Sequence, residues 1–378
     1  LTSPPLEEVA RGVWEFVRRA DYRGYDPFDG LESRLFKGSP LRLWPAARLV
    51  WMQAVKRCPV DLRPWLGVPP GRNPKAVALC VSALTALRRI FSGAGPEAEK
   101  LGDWLEAHPS GTGPGLSWGY DFDWQSREFF APRFSPNAIC TVFAGHCFLD
   151  LHEACGRRRY LDTARAATEF LLSRLLRRSE AGSYFAYVPA SHVPIHNVNL
   201  LSAGLLARVG RATGESFAAA KSAVEFSIRR QLSDGSWWYG EGDRLRWIDN
   251  FHTAYNLVAL RGYMRDSGDS DPERALRQGY DYWARTFVRE DGAPPYYPRR
   301  LYPLDVHASA QTILTLLEFG DLPGARRAVG WAVRNLRSTR GTFRYQIRRW
   351  YSVDIPFLRW GQAWMLLALA RLLEAERR

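Results

Sequence analysis

The chain has 378 residues, 46% of them apolar, with 15 Trp and with 52 Lys and Arg against 39 Asp and Glu, a formal net charge of +13. That composition excludes a disordered polymer, and no run approaches the roughly 20 uninterrupted apolar residues a membrane span requires. The charge favours an anionic partner, yet the Arg excess is spread along the chain with no basic tail or nucleic-acid motif, which argues against nucleic acid.

In chain order, an amphipathic helix is expected over residues 6–20, then a turn-rich stretch, so that residues 1–35 read as an extension packing on the body. The next helix, over 41–57, sets Leu43, Ala47, Val50, Trp51 and Ala54 along one stripe. "NPKAVALCVSALTALRRIF" follows, with Pro74 where a first turn tolerates it and a run apolar nearly all round, the mark of a buried helix. "PEAEKLGDWLEAH" is its more polar partner. The pair then recurs: apolar helices are expected near Pro136, Asn197, Asn250, Asp305 and Phe357, and polar ones near Tyr160, Phe217, Pro272 and Pro323. The steps Asn73, Asn137, Asn197, Asn250 and Asp305 lie 53 to 64 residues apart, the period of an array of helical hairpins. With the helix over 41–57 as the sixth polar partner, residues 1–378 predict one all-α (α/α)6 toroid: six inner and six outer helices around a funnel. "SWWYG" and "TFRYQ" read at most as hairpin edges. The polar partners run into "SEAGSYFAYV", "SDGSWWYGE", "EDGAPPYYP" and "TRGTFRYQI", whose shared Gly is expected to cap each outer helix in the left-handed conformation.

In "RRQLSDGSWWYG" this repeat resembles the Gln/Trp repeat of the terpenoid cyclase and protein prenyltransferase superfamily, over about residues 110–375. The resemblance implies an α/α toroid. It does not carry the reaction, because "DFDW" is not the DxDD string of a class II cyclase and no prenyltransferase-type zinc set assembles. The architecture is also similar to that of the (α/α)6 glycoside hydrolases, unsaturated-uronyl hydrolases, polysaccharide lyases and epimerases. "YDPFDGL", "NPKAVAL", "GYDFDWQSR" and "DNFHTAYN" resemble bacterial toroid proteins encoded among polysaccharide-biosynthesis genes.

In a toroid the loops before the inner helices surround the funnel, and here they are long, polar and aromatic. Asn and Asp at helix starts are good N-caps, so Asn137, Asn197 and Asp305 are equally cap or site. "DNFH" gathers Asp249, Asn250 and His252 where one cap suffices, and its His matches His307 in "DVH", so the two imidazoles should project equivalently. In "WGYDFDWQSR" the aromatics alternate with Asp121 and Asp123, rings to one face and acids to the other, a pattern suited to sugars. Asp123 and Asp249 are therefore the expected acid and base for cleaving a glycosidic bond, with His252 and His307 assisting or replacing one of them. Trp118, Tyr120, Trp124, Trp247 and Tyr297 are expected to stack on the sugar. Arg127, Arg299, Arg300 and Arg359 would hold its negative charge, with His196, Asn197, Asn250, Asp305 and Asp354 completing the site.

The reading is thus a carbohydrate-active enzyme on an acidic polysaccharide or oligosaccharide, hydrolysis first. Elimination or epimerisation of a uronate uses the same residue types. An isoprenoid enzyme and a non-catalytic glycan-binding toroid are the other readings. No cofactor is expected. Cys140, His146, Cys147, His152 and Cys155 lack zinc-type spacing, and five cysteines, an odd number, point to reduced thiols in the cytoplasm.

Overall fold

A helix with every residue buried must have neighbours on all sides, and Pro74–Leu87 is such a helix. In this computed structural model, which describes residues 4–377, the helices are α1 (Leu6–Arg19), α2 (Arg34–Gly38), α3 (Pro45–Arg57), α4 (Arg63–Leu66), α5 (Pro74–Leu87), α6 (Ala94–Ala107), α7 (Ala138–Cys155) and α8 (Arg158–Phe170). They continue with α9 (His196–Thr213), α10 (Ala218–Ile228), α11 (Asn250–Ser267), α12 (Glu273–Phe287), α13 (Val306–Glu318), α14 (Leu322–Asn335) and α15 (Ala363–Ala375). A wider π turn, Leu358–Gln362, leads into α15. The inner helices α5, α7, α9, α11, α13 and α15 pack each on the next, and α15 packs back on α5, closing the ring. Outside them α6, α8, α10, α12 and α14 each cover the inner helix that precedes them. The fold is the expected all-α (α/α)6 toroid.

The sixth outer place is filled by α1, which packs on α15, and not by the helix over 41–57. The burial pattern explains the exchange. α1 buries Val9, Ala10, Val13, Trp14 and Val17 along one stripe, whereas α3 buries only Met52 and Val55 and leaves Val50 to solvent. α3 instead lies over the mouth of the ring, where Met52 joins Leu31 and Phe36 in a small separate core and Trp51 donates to the Gly30 carbonyl at 2.8 Å. The chain ends are joined directly: Leu358 N–H donates to Tyr25 O at 3.0 Å, and Arg359 grips Asp26 through two bonds of 2.6 and 2.7 Å.

Left-handed glycine caps do occur, but on inner helices: Gly156, Gly214 and Gly268 end α7, α9 and α11. Of the glycines of the polar-partner strings, Gly182 opens the second strand of a hairpin, while Gly235, Gly292 and Gly341 lie in turns beyond their helices. Gly235 and Gly292 have φ of +93° and +82°, and a Cβ there would stand 2.3 Å from Gln278 O and 2.5 Å from Arg327 O. At these two positions glycine lets the loop pass against the backbone of the following outer helix. The mouth also carries more strand than expected, a four-stranded antiparallel sheet of Pro295–Tyr297, Arg300–Asp305, Gln346–Ile347 and Ser352–Val353, while "SWWYG" forms none. Among the described residues no helix is long and apolar enough to cross a membrane.

Candidate active site

Helix caps set the register of the site. Asn73 accepts from Lys75 N and Ala76 N, Asn137 from Cys140 N, Asp249 from His252 N at 2.9 Å and Asp305 from His307 N at 2.7 Å. Each bond satisfies a backbone donor at the start of its helix and fixes the chain's entry angle. The second residue of α5, α7, α9, α11 and α13, and of the π turn that leads into α15, then faces the axis. Lys75, Ile139, Asn197, Phe251, His307 and Arg359 all line one cavity of about 570 Å³, one from each sixth of the ring. Six helix N-termini converge there, and their partial positive charge favours an anion.

The walls come from the connecting loops. Tyr239 stacks on Trp247 with ring centres 4.4 Å apart, Trp124 meets Tyr120 and Tyr187 at 5.9 and 5.2 Å, and Tyr296 and Tyr297 face them. α3 closes the mouth with Met52, Lys56 and Arg57.

Within this shell two imidazoles pack against Phe251, with ring centres 4.1 Å (His252) and 4.7 Å (His307) from it. His252 Nδ1 bonds Asp249 Oδ2 at 2.7 Å, and Trp247 Nε1 donates to the same oxygen at 3.0 Å. The carboxylate thus holds the proton on Nδ1 and leaves Nε2 as the basic nitrogen. His307 Nε2 bonds the Tyr255 hydroxyl at 2.7 Å. Burial, then the nearby Lys75 and Arg359 charges, hold the His307 pKa well below the ordinary value, so this imidazole is neutral and Tyr255 donates to it. Burial likewise pushes the Tyr255 phenol well up.

Lys75 is the most unusual group. Its ammonium nitrogen sits over Phe143, Trp364 and Tyr255, at 4.4, 5.2 and 5.6 Å from their centres, and makes no hydrogen bond or ion pair among the described residues. Burial and Arg359 push its pKa well below 10.5. Lys56, over Phe28 at 3.9 Å, is lowered to about 8, mainly by burial. Lys75→Met is expected to stabilise the protein at pH 7 by about 1–4 kcal/mol, since it removes a buried cation without an acidic partner. The unfolded chain binds this proton more tightly than the folded one, so wild-type stability climbs as pH rises toward 10.5 and the gap should close. Urea unfolding at pH 7 and 10 checks this; a gap that widens would contradict it.

Ten of the residues singled out from the sequence line the cavity: Tyr120, Trp124, Arg127, Asn197, Trp247, Asp249, His252, Tyr297, His307 and Arg359. The others lie elsewhere. Asp123 points away, its Oδ1 taken by Arg133 N at 2.7 Å and Lys37 3.8 Å off. The alternation in "YDFDW" causes this: turning Tyr120, Phe122 and Trp124 inward turns the intervening acids outward. Trp118 is core, its Nε1 bonded to Leu105 O at 3.0 Å, and Asn137 is a cap. His196 is buried between Ser227 Oγ (3.0 Å) and Glu241 Oε1 (2.7 Å). Asp305 is spent on capping α13 and on Gln346 and Trp360. Arg299 and Arg300 are exposed on their hairpin, and Asp354 pairs with Arg344 at 3.4 Å outside the cavity.

Asn250 is structural, accepting from Trp283 Nε1 at 2.9 Å and donating to Pro295 O at 3.0 Å. Asn250→Leu should therefore cost about 1–3 kcal/mol by leaving these partners unpaired; unchanged thermal unfolding would contradict this role. Because the cap is Asp249 and not Asn250, His252 is the third residue of its helix while His307 is the second, so their expected equivalence is off by one. Lys75, Tyr255 and Phe251 also line the cavity and were not picked out, and Glu128, one of the loop acids, lines it too. The first three sit inside strings that read as plain buried helix, and only the cap register brings them to the axis.

Among the described residues no group of three or more His, Cys, Asp or Glu is placed to hold a metal ion. No protein-family model and no curated protein matches this sequence. Solved structures do match. A cellobiose 2-epimerase from Bacillus thermoamylovorans is 9% identical with a TM-score of 0.63, over 82% of this chain and 90% of that one. An unsaturated glucuronyl hydrolase specific for heparin is 13% identical with a TM-score of 0.62, over 99% and 98%. A glycoside hydrolase family 76 α-mannanase from Bacteroides thetaiotaomicron is 13% identical with a TM-score of 0.63, over 80% and 86%. At these identities the likeness is one of fold, the (α/α)6 toroid of carbohydrate enzymes.

Proposed function

We propose that this cavity moves a proton on a carbon of an anionic carbohydrate, as an epimerase or isomerase, with His252 and His307 as the acid–base pair. The observation that carries the reading is the pair of oriented imidazoles lining one cavity, His252 held by Asp249 and His307 joined to Tyr255. In the proposed reaction His252 Nε2 takes the proton next to a carbonyl, and the C–H electrons form an enediolate. The Tyr255 hydroxyl, beside His307, returning its proton on the opposite face gives the epimer; Tyr255 then regains a proton from solvent and His252 releases one to it before the next turnover. Return of a proton to the neighbouring carbon, with the hydroxyl proton passing between the two enediolate oxygens, gives the isomer. The converging helix N-termini with Lys75 and Arg359 would stabilise the enediolate and receive an acidic group on the sugar. The Tyr239–Trp247 stack and Trp124 would cover its C–H faces.

This reading displaces hydrolysis as first choice. Hydrolysis commonly uses two free carboxyl groups flanking the bond. Asp123 faces away, and Asp249 already accepts from His252 twice and from Trp247. Glu128 is the other carboxylate of the lining and keeps hydrolysis as the second reading. A cavity lined by Lys56, Lys75, Arg127, Arg348 and Arg359 is a poor container for a hydrocarbon chain. The test is incubation with a panel of acidic mono- and oligosaccharides, followed by isomer chromatography, reducing-end assay and absorbance of unsaturated products. A new isomer with neither other signal is expected; new reducing ends would overturn the reading in favour of hydrolysis.

A further inference from the structure

Among the described residues, every large apolar side chain that stands well exposed lies on one end of the toroid, the end that holds the cavity mouth. Most belong to the segment over residues 34–66, which fills no place in the double ring. Leu43, Trp44, Val50 and Trp65 are 66%, 62%, 70% and 73% exposed. The others are on the mouth hairpins, with Trp350 at 82%. The two groups adjoin, since the Tyr351 hydroxyl donates to Arg57 O at 3.3 Å and Arg48 lies over Phe130 at 4.2 Å. Scattered exposed apolar residues need no explanation, but their confinement to one end of a molecule does.

The charge on the same surface is one-sided. From Arg34 to Leu66 the sequence has seven basic residues, Arg34, Lys37, Arg42, Arg48, Lys56, Arg57 and Arg63, and one acid, Asp61, which Arg63 holds at 3.4 Å. Lys37 is held by Glu32 at 2.6 Å and Lys56 turns into the cavity; Arg34, Arg42, Arg48 and Arg57 make no ion pair among the described residues. Arg349 stands beside Trp350, its guanidinium 4.7 Å from the ring. Aromatic and aliphatic residues interleaved with unpaired cations are what an anionic bilayer surface recognises. The rings enter the headgroup layer and the cations meet phosphates. A second copy of the chain would instead set these like charges against one another.

We infer that residues 34–66 and the Trp350 hairpin form a docking surface for an anionic lipid membrane. α3 contributes Met52 and Lys56 to the cavity, so docking brings the mouth to the headgroup layer. The inference is independent of the reaction assigned to the cavity.

The test is flotation of the full chain with vesicles of phosphatidylglycerol and phosphatidylcholine in equal parts, against phosphatidylcholine alone, at low and high salt. Binding to the anionic vesicles is expected, weakened by salt and reduced at least about tenfold in a Trp44→Ser, Arg42→Glu, Trp350→Ser variant. All three side chains are exposed, so the variant's circular dichroism and melting temperature should match the wild type. Absent flotation, equal flotation on neutral vesicles, or wild-type binding by the variant would overturn the inference. So would a wild-type dimer in sedimentation velocity that the variant dissociates, since the occupant would then be a second copy.

Discussion

An Asp249→Asn enzyme is expected to turn over about 10²–10⁴-fold more slowly than wild type, the range a positioned acid–base group contributes. The carboxylate accepts from His252 Nδ1, His252 N and Trp247 Nε1, so it sets both the tautomer and the tilt of the imidazole. An amide in its place can offer N–H to Nδ1 and move the proton to Nε2, leaving no base toward the cavity. His252→Asn should cause a similar loss, and the double variant little more, because residues acting as one unit are not additive. Ligand affinity should be largely kept. Activity within a few-fold of wild type in either single variant would remove this pair from the mechanism.

Arg359→Met is expected to destabilise the fold by about 3–5 kcal/mol, the cost of stranding one partner of a buried ion pair. Arg359 and Asp26 are both nearly inaccessible, joined by two short bonds, and 333 positions apart in sequence. Their contact ties the segment after the first outer helix to the start of the last inner one. Asp26→Asn together with Arg359→Met should recover part of the loss, since neither charge is then stranded. Denaturant unfolding of the two single variants and the double measures this; additive losses would mean that the pair does not act as a clasp.

The architecture was legible because burial on all faces leaves a plain mark in sequence: α5, α7 and α13 are apolar nearly all round, and their polar partners follow at a regular period. The sixth outer helix was harder. α1 and α3 both present apolar residues at helical spacing, and only closure of the ring on α15 selects α1. Half of the site was legible for a related reason: His252, Asp249 and Trp247 are polar or aromatic residues crowded at one helix start, more than capping needs. Lys75 escaped because a single Lys two residues past a cap, followed by an apolar run, is indistinguishable from a solvated first turn. Asp123 misled because alternation fixes that rings and acids diverge, not which of them faces inward.

The central claim, that the two imidazoles move a proton on a sugar carbon, is tested most directly by solvent exchange. The protein is incubated with each acidic sugar in deuterium oxide, and the proton spectrum is followed over time. The account predicts that one C–H signal next to the carbonyl carbon disappears as deuterium enters, and that Asp249→Asn and His252→Asn abolish the exchange. Conversion of a sugar with every carbon-bound proton retained would contradict it.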